Sequence, residues 1–149
     1  MPLHYLTIEQ AVDVHRKTVE KSGGGSIGQL DQQKLAGVLE HIQNDEYYPT
    51  LEDKLTHLFF CANKFHCFED GNKRLSITLC AQFLLINGYL FSVKQFLYQM
   101  ENISYHVATG AIDKELLKEI ISAILSGDEE DEALKLKIWH AINQEDQDY

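Results

Sequence analysis

The run HCFEDGNKR, His66 to Arg74, gathers a histidine, a carboxylate, a glycine and two adjacent cations within nine residues. Histidine is the side chain whose ordinary pKa best suits proton transfer near neutrality. Asp70 supplies hard oxygen ligands of the kind Mg²⁺ takes beside phosphate. Gly71 has no Cβ, so a ligand can approach the backbone closely. Lys73 and Arg74 fall at the start of a strongly apolar segment that reads as a helix. Cations in a first turn oppose the helix dipole and cost about 0.3–1 kcal/mol each when nothing compensates. A bound phosphate reverses that sign, because free backbone N–H groups, dipole, Lys73 and Arg74 then act on one anion. The competing reading is a surface helix start whose lysine and arginine reach into water. His66 and Asp70 just upstream favour the phosphate reading, and together these parts are what phosphoryl or nucleotidyl transfer requires. GxxxxGK[ST] is absent, so this is not a Walker A loop.

The elements that must position this run are all helical. Thr7 and Gln10 form a capping box, followed by Ile8, Ala11, Val12, His15 and Val19 at helical spacing up to Gly23-Gly24-Gly25. A second helix from Asp31 carries Leu35, Val38, Leu39 and Ile42 on one stripe. Asn44 to Pro49 breaks the pattern as a loop or short hairpin, and Thr50 caps a third helix with Leu51, Leu55, Leu58, Phe59 and Ala62. Leu75 to Ile86 is apolar nearly all round, which places that helix in the middle of a core. Asn87-Gly88 stops it. Ser92 with Gln95 predicts the next cap, Thr109-Gly110 an interruption, and Asp113 to Gly127 a further helix. A last amphipathic helix carries Leu134, Ile138, Ala141 and Ile142. No strand pattern competes and no internal repeat is present, so the fold class is all-α, with at most one small hairpin.

Composition sets the outer limits. The chain has 149 residues, 44% of them hydrophobic, enough for one domain with a real core. Net charge is −10, which excludes a general nucleic-acid-binding surface. Residues 128–149 hold eight acids and two lysines; the remainder has 15 acids and 11 bases, or −4. The expected division is therefore a domain over residues 1–127 and an acidic C-terminal extension over residues 128–149, a solvated tail containing the amphipathic helix. Three cysteines without a CxxC give no disulfide framework. No signal peptide or bilayer-spanning run is seen, so a cytoplasmic protein with no membrane association is expected.

HCFEDGNKR resembles the signature of the Fic/Doc family, HxFx[DE]GN[GK]R; His66, Phe68, Asp70, Gly71, Asn72, Lys73 and Arg74 all match. The order of helices, the glycine-rich turn, the loop before the third helix and the ATG at Ala108 to Gly110 are similar too, over roughly residues 3 to 125. The resemblance implies an all-helical fold whose central helix follows the motif, and transfer of part of a nucleotide onto a protein hydroxyl. It implies His66 as general base, Asp70 as Mg²⁺ ligand, and Gly71, Asn72, Lys73 and Arg74 as phosphate-binding groups, with ATP as substrate. The loop Asp45 to Pro49 would be a flap that aligns the target. Adenylylating Fic enzymes usually have glycine at the position of Lys73 and a second arginine at that of Ile77. Both departures look like the Doc, or death-on-curing, branch. That branch implies transfer of the terminal phosphate, a translation elongation factor as target, and a partner antitoxin. Cys67 replaces a common proline and is expected only to change loop stiffness.

Alternative readings are an adenylyltransferase and a nucleotide- or partner-binding scaffold without turnover. A Cys67–His66 nucleophile pair lacks an orienting third group. A metal site from His57, Cys61 and His66 rests on one i, i+4 pair. His4, His15, His41, His106 and His140 are read as surface or satisfied core residues, and Tyr47 and Tyr48 as packing residues. Ser126 and Glu130 have the spacing of the family's inhibitory [ST]xxxE[GN] helix, although Asp131 follows and Gly127 weakens a helix there.

Overall fold

A computed structural model describes residues 2–21, 32–64 and 72–144. Among these residues the chain is all-helical and contains no strand. The elements are α1 (Ile8–Lys21), α2 (Gln32–His41), α3 (Leu51–Lys64), α4 (Asn72–Ile86), α5 (Leu90–Thr109), α6 (Lys114–Ser126) and α7 (Glu132–Gln144). The expected glycine-rich turn Gly23–Gly25 and the start at Asp31 lie outside the described residues.

Local chemistry sets the helix ends. Thr7 Oγ1 accepts from Gln10 N (3.1 Å) while Gln10 Oε1 accepts from Thr7 N (3.0 Å), the reciprocal capping box expected. Thr50 does the same with Asp53: its Oγ1 accepts from Asp53 N at 3.1 Å, and the carboxylate accepts from Thr50 N at 3.3 Å. Asp113 caps α6 through Leu116 N at 2.8 Å. Gly110 and Gly127 end α5 and α6 with φ of 91° and 79°, left-handed values that favour glycine.

The cap expected at Ser92 does not form. α5 starts at Leu90, and Ser92 is buried inside its first turn. The reason is the tightness of the preceding reversal. Gly88 adopts φ 85°, Tyr89 N donates to Leu84 O (3.0 Å) to close α4, and Val93 N donates back to Tyr89 O (3.1 Å) to open α5. Tyr89 thus serves both helices and leaves no linker. Asn87 secures the corner by clasping His4, donating to His4 O at 2.9 Å and accepting from His4 N at 2.8 Å.

α4 is the centre of the molecule, packed against α1, α3 and α5. Leu75, Leu79, Phe83 and Leu84 are fully buried, as its all-round apolar sequence predicts. Exposed Arg74, half-buried Thr78 and Gln82, and exposed Leu85 form its remaining stripe. α3 contributes Leu55, Leu58 and Phe59 to the core, and α6 contributes Leu117, Ile120, Ile121 and Ile124. α7 rests on α6 through half-buried Leu134 and Ile138, with Lys137 paired to Glu119 at 2.8 Å. Its Leu136 and Trp139 face outward.

Candidate active site

α3 ends at Lys64 and α4 begins at Asn72, so the seven residues 65–71 join two helices packed side by side. Asn63 contacts Ser76 while Cys80 contacts Leu55, a pairing that runs the two helices antiparallel. Buried Asn63 fixes the end from which the motif emerges: its Nδ2 donates to Ser104 O of α5 at 3.0 Å and reaches Ser76 Oγ at 3.4 Å. Its Oδ1 is buried with no hydrogen-bond partner among the described residues.

His66, Cys67, Phe68, Asp70 and Gly71 lie outside the described residues, as do the side chains of Asn72 and Lys73. The structure does place Asn72, Lys73 and Arg74 in the first turn of α4, where backbone N–H groups lack helical acceptors. No acid falls in that turn. Arg74 is exposed and lines a groove of about 780 Å³ between α1, α4 and α5. Ile77, at the position where adenylylating relatives would carry a second arginine, lies on the same wall. Across the groove Asp13 is already engaged by Lys17 (3.1 Å) and Arg16 (3.0 Å). The hydrogen bond from Lys17 is the main reason its carboxyl sits below the usual range.

The expected flap is a loop with an internal frame. Asn44 Oδ1 accepts from Glu46 N (2.9 Å) and Tyr47 N (3.4 Å), and Tyr48 N donates to Asn44 O (2.9 Å). Lys54 anchors the loop from below and is only 1% exposed. Its ammonium donates to Ile42 O at 2.7 Å and to Asp45 Oδ1 at 2.8 Å, and lies 5.6 Å from the centre of the Tyr5 ring. Burial pulls the ammonium's pKa down, but Asp45 and Tyr5 outweigh it and hold the pKa above the usual value, so Lys54 is a buried cation. The sequence reading missed Lys54. Its signal was present, since position 54 falls on the same helical face as Leu51, Leu55 and Leu58.

Tyr48, at the loop's C-terminal side, closes over a cluster of polar rings. Its ring lies 4.6 Å from that of His57, and its hydroxyl is 3.1 Å from His41 Nδ1. Lys114, the first residue of α6, donates to His57 Nδ1 at 2.9 Å, and Cys61 Sγ is 3.4 Å from His57 Nε2. Burial above all, then the positive charge of Lys114 and the neighbouring His41, pushes the His57 pKa down to about 4. Burial, then Cys61, pushes the Tyr48 phenol up. Both His57 nitrogens are therefore engaged, and an ammonium stands where a metal ion would be repelled. Among the described residues no group of three potential ligands exists; His66, the third member of the metal site the spacing allowed, lies outside them. Tyr48 packs as expected, whereas Tyr47 is 70% exposed.

A family model, that of the Fic/DOC family, matches residues 5–84, more than half of the chain. The chain belongs to the Fic/DOC family. The match takes in α1 to α3, the whole of HCFEDGNKR and most of α4; it is shorter than the span over which the sequence resemblance was read. Searches of curated proteins and of solved structures gave no match. The helical architecture with a central helix after the motif agrees with this membership, and members of the family are generally transferases. Among the described residues no helix is long and apolar enough to cross a membrane.

The inhibitory-helix reading of Ser126 and Glu130 does not hold. α6 stops at Ser126, Gly127 turns left-handed, and the chain continues as turns to α7. Glu130 is exposed and ion-paired with Lys135. A glycine at the αL cap separates the two residues, so no helix face can carry both.

Proposed function

We propose that the protein is a Doc-like transferase that moves the terminal phosphate of ATP onto a hydroxyl of a target protein. The observation that carries this reading is the start of α4 at Asn72. It puts the Asn72-Lys73-Arg74 turn, with its donor N–H groups and exposed Arg74, directly after His66 and Asp70 in sequence. Gly71, Asn72, Lys73 and Arg74 would cradle the phosphates, replacing the missing acid of that first turn with substrate charge. Asp70 offers the hard carboxylate oxygen that fits Mg²⁺, which would neutralise phosphate charge when bound. His66 would take the proton of the target hydroxyl as its oxygen forms a bond to phosphorus and the bond to ADP breaks. Such a base contributes roughly 10²–10⁴-fold.

Two features favour terminal-phosphate transfer over AMP transfer. Lys73 occupies the place of the second glycine, and Ile77 leaves the groove wall without a second arginine. The loop from Asp45 to Pro49, fixed by Lys54, would align the target segment; a translation elongation factor is the leading target by analogy with the branch. Since residues 126–130 do not form an inhibitory helix, a separate antitoxin is the proposed means of silencing.

The test is transfer of label from ATP carrying it at either the α or the γ phosphate, with a cell lysate and Mg²⁺. Label from the γ position alone, lost in His66→Ala, supports the proposal. Label from the α position makes the protein an adenylyltransferase. Failure of both labels, with a biological effect that survives His66→Ala, makes it a binding scaffold.

A further inference from the structure

The outer face of α5 leaves more large apolar side chains uncovered than any other part of the described structure. Ten such side chains are exposed among the described residues, and seven of them lie between Leu85 and Tyr105. Phe91 (81% exposed), Tyr98 (79%) and Tyr105 (54%) recur every seven residues and so form one line along the helix. Leu90 and Leu97 flank that line. The inward face of the same helix is already complete, with Phe96, Met100, Ile103 and Val107 buried in the core. Phe91 and Tyr98 therefore leave most of their surface uncovered in this monomer, and Tyr105, edge-on to His106, leaves about half of its own. A patch of this extent is at the upper end of what monomers expose, and patches of that size are often functional.

We infer that this face joins two copies of the chain, with their α5 helices antiparallel across a two-fold axis near Tyr98. The occupant is read from the charges that interrupt the apolar line. Lys94 and Glu101 are the exposed charged residues beside the aromatics, four positions before and three positions after Tyr98. Two α5 helices placed antiparallel about Tyr98 bring Lys94 of each copy beside Glu101 of the other. They also set Phe91 against Tyr105 and Tyr98 against itself. A parallel pairing would instead oppose lysine to lysine and glutamate to glutamate. Self-complementarity under reversal is what an isologous two-fold interface requires. The uncovered side chains amount to roughly 600 Å² per copy, or about 1,200 Å² for the pair, at the lower edge of specific interfaces. The expected complex is a reversible dimer in the micromolar range.

Sedimentation velocity of the full chain from about 1 to about 200 µM tests this, since that span brackets the affinity of an interface of this size. The mass is expected to climb with concentration from 17.1 kDa towards twice that value. Tyr98→Glu is expected to weaken association at least about tenfold, with an unchanged far-UV circular dichroism spectrum because Tyr98 is 79% exposed. Lys94→Glu is expected to weaken it severalfold, and Lys94→Glu combined with Glu101→Lys to restore it. A chain that stays monomeric throughout, or dimers indifferent to Tyr98→Glu, overturns the assignment of this face. Failure of the double charge reversal to restore association overturns the antiparallel register.

Discussion

His57 should make the fold weaken with acid well above the pH at which carboxylates usually titrate. Its ring is half-buried against Tyr48, with Lys114 donating to one nitrogen and Cys61 beside the other. Burial first, then the Lys114 ammonium and the neighbouring His41, bring its pKa to about 4 from an ordinary 6.5. The folded-state pKa is therefore the lower one. As pH falls below 6.5 the unfolded chain takes up the proton first, and stability is lost until pH passes the folded value near 4. A shift of that size corresponds to at most roughly 3.4 kcal/mol at about 1.36 kcal/mol per pH unit. The ring retains partial solvent access, and screening reduces the figure to about 1–2 kcal/mol.

The assay is urea unfolding of the wild type and of His57→Gln at intervals from about pH 7 to about pH 4. Glutamine can accept from Lys114 and donate towards Cys61, so it preserves the contacts and removes the titration. The difference between the two proteins isolates His57 from every other group that titrates in the window. The sequence pI of about 5.0 lies inside that window, so dilute protein is needed. The wild type should lose about 1–2 kcal/mol more than the variant between pH 6.5 and pH 4. Lys114→Met should raise the His57 pKa only part of the way back, because burial outranks the lysine charge. Identical pH profiles for wild type and His57→Gln, or a His57 ring titrating at an ordinary value by NMR, would refute the reasoning and with it the cluster that holds the loop.

Four further outcomes are expected. Lys54→Ala removes the buried stem and the donor to Ile42 O, and should cost about 2–4 kcal/mol in urea unfolding; Lys54→Met keeps the stem and should cost about half of that. Gly88→Ala meets open space at the new Cβ, so only the left-handed φ of 85° opposes it, and melting should reveal a loss of about 1–2 kcal/mol. Thr50→Ala deletes the cap of α3 and should destabilise by about 1 kcal/mol, measured in the same way. Removal of residues 128–149 should leave label transfer from ATP at the full-length rate, since Glu130 is engaged with Lys135 and shares no helix with Ser126; a rise in activity would restore inhibition by the tail.

What the sequence disclosed and what it hid differ in range. The caps at Thr7, Thr50 and Asp113 and the stops at Gly88, Gly110 and Gly127 are effects within four residues, and each stands where its residue type placed it. The position of α4 was legible for a related reason: a helix apolar on every side has nowhere to go but the centre. Ser92 misled because the same local rule ignores what precedes it, and a reversal completed by Tyr89 left no room for the cap. The contacts that place the loop at Asp45 to Pro49 and the end of α3 are of another kind. Lys114 reaches His57 across 57 positions, and Asn63 reaches Ser104 across 41. No periodicity registers such pairs, although Lys54 betrayed itself by sitting on an apolar face. The candidate site divides along the same line. The first turn of α4 follows from local sequence alone, and the roles of His66 and Asp70 rest on the motif. The loop that would present a target is held by Lys54, Tyr48, His57 and Lys114, none of which belongs to that motif. Substitutions at those four positions should therefore disturb the loop proposed to present a target while leaving the first turn of α4, the proposed phosphate seat, intact.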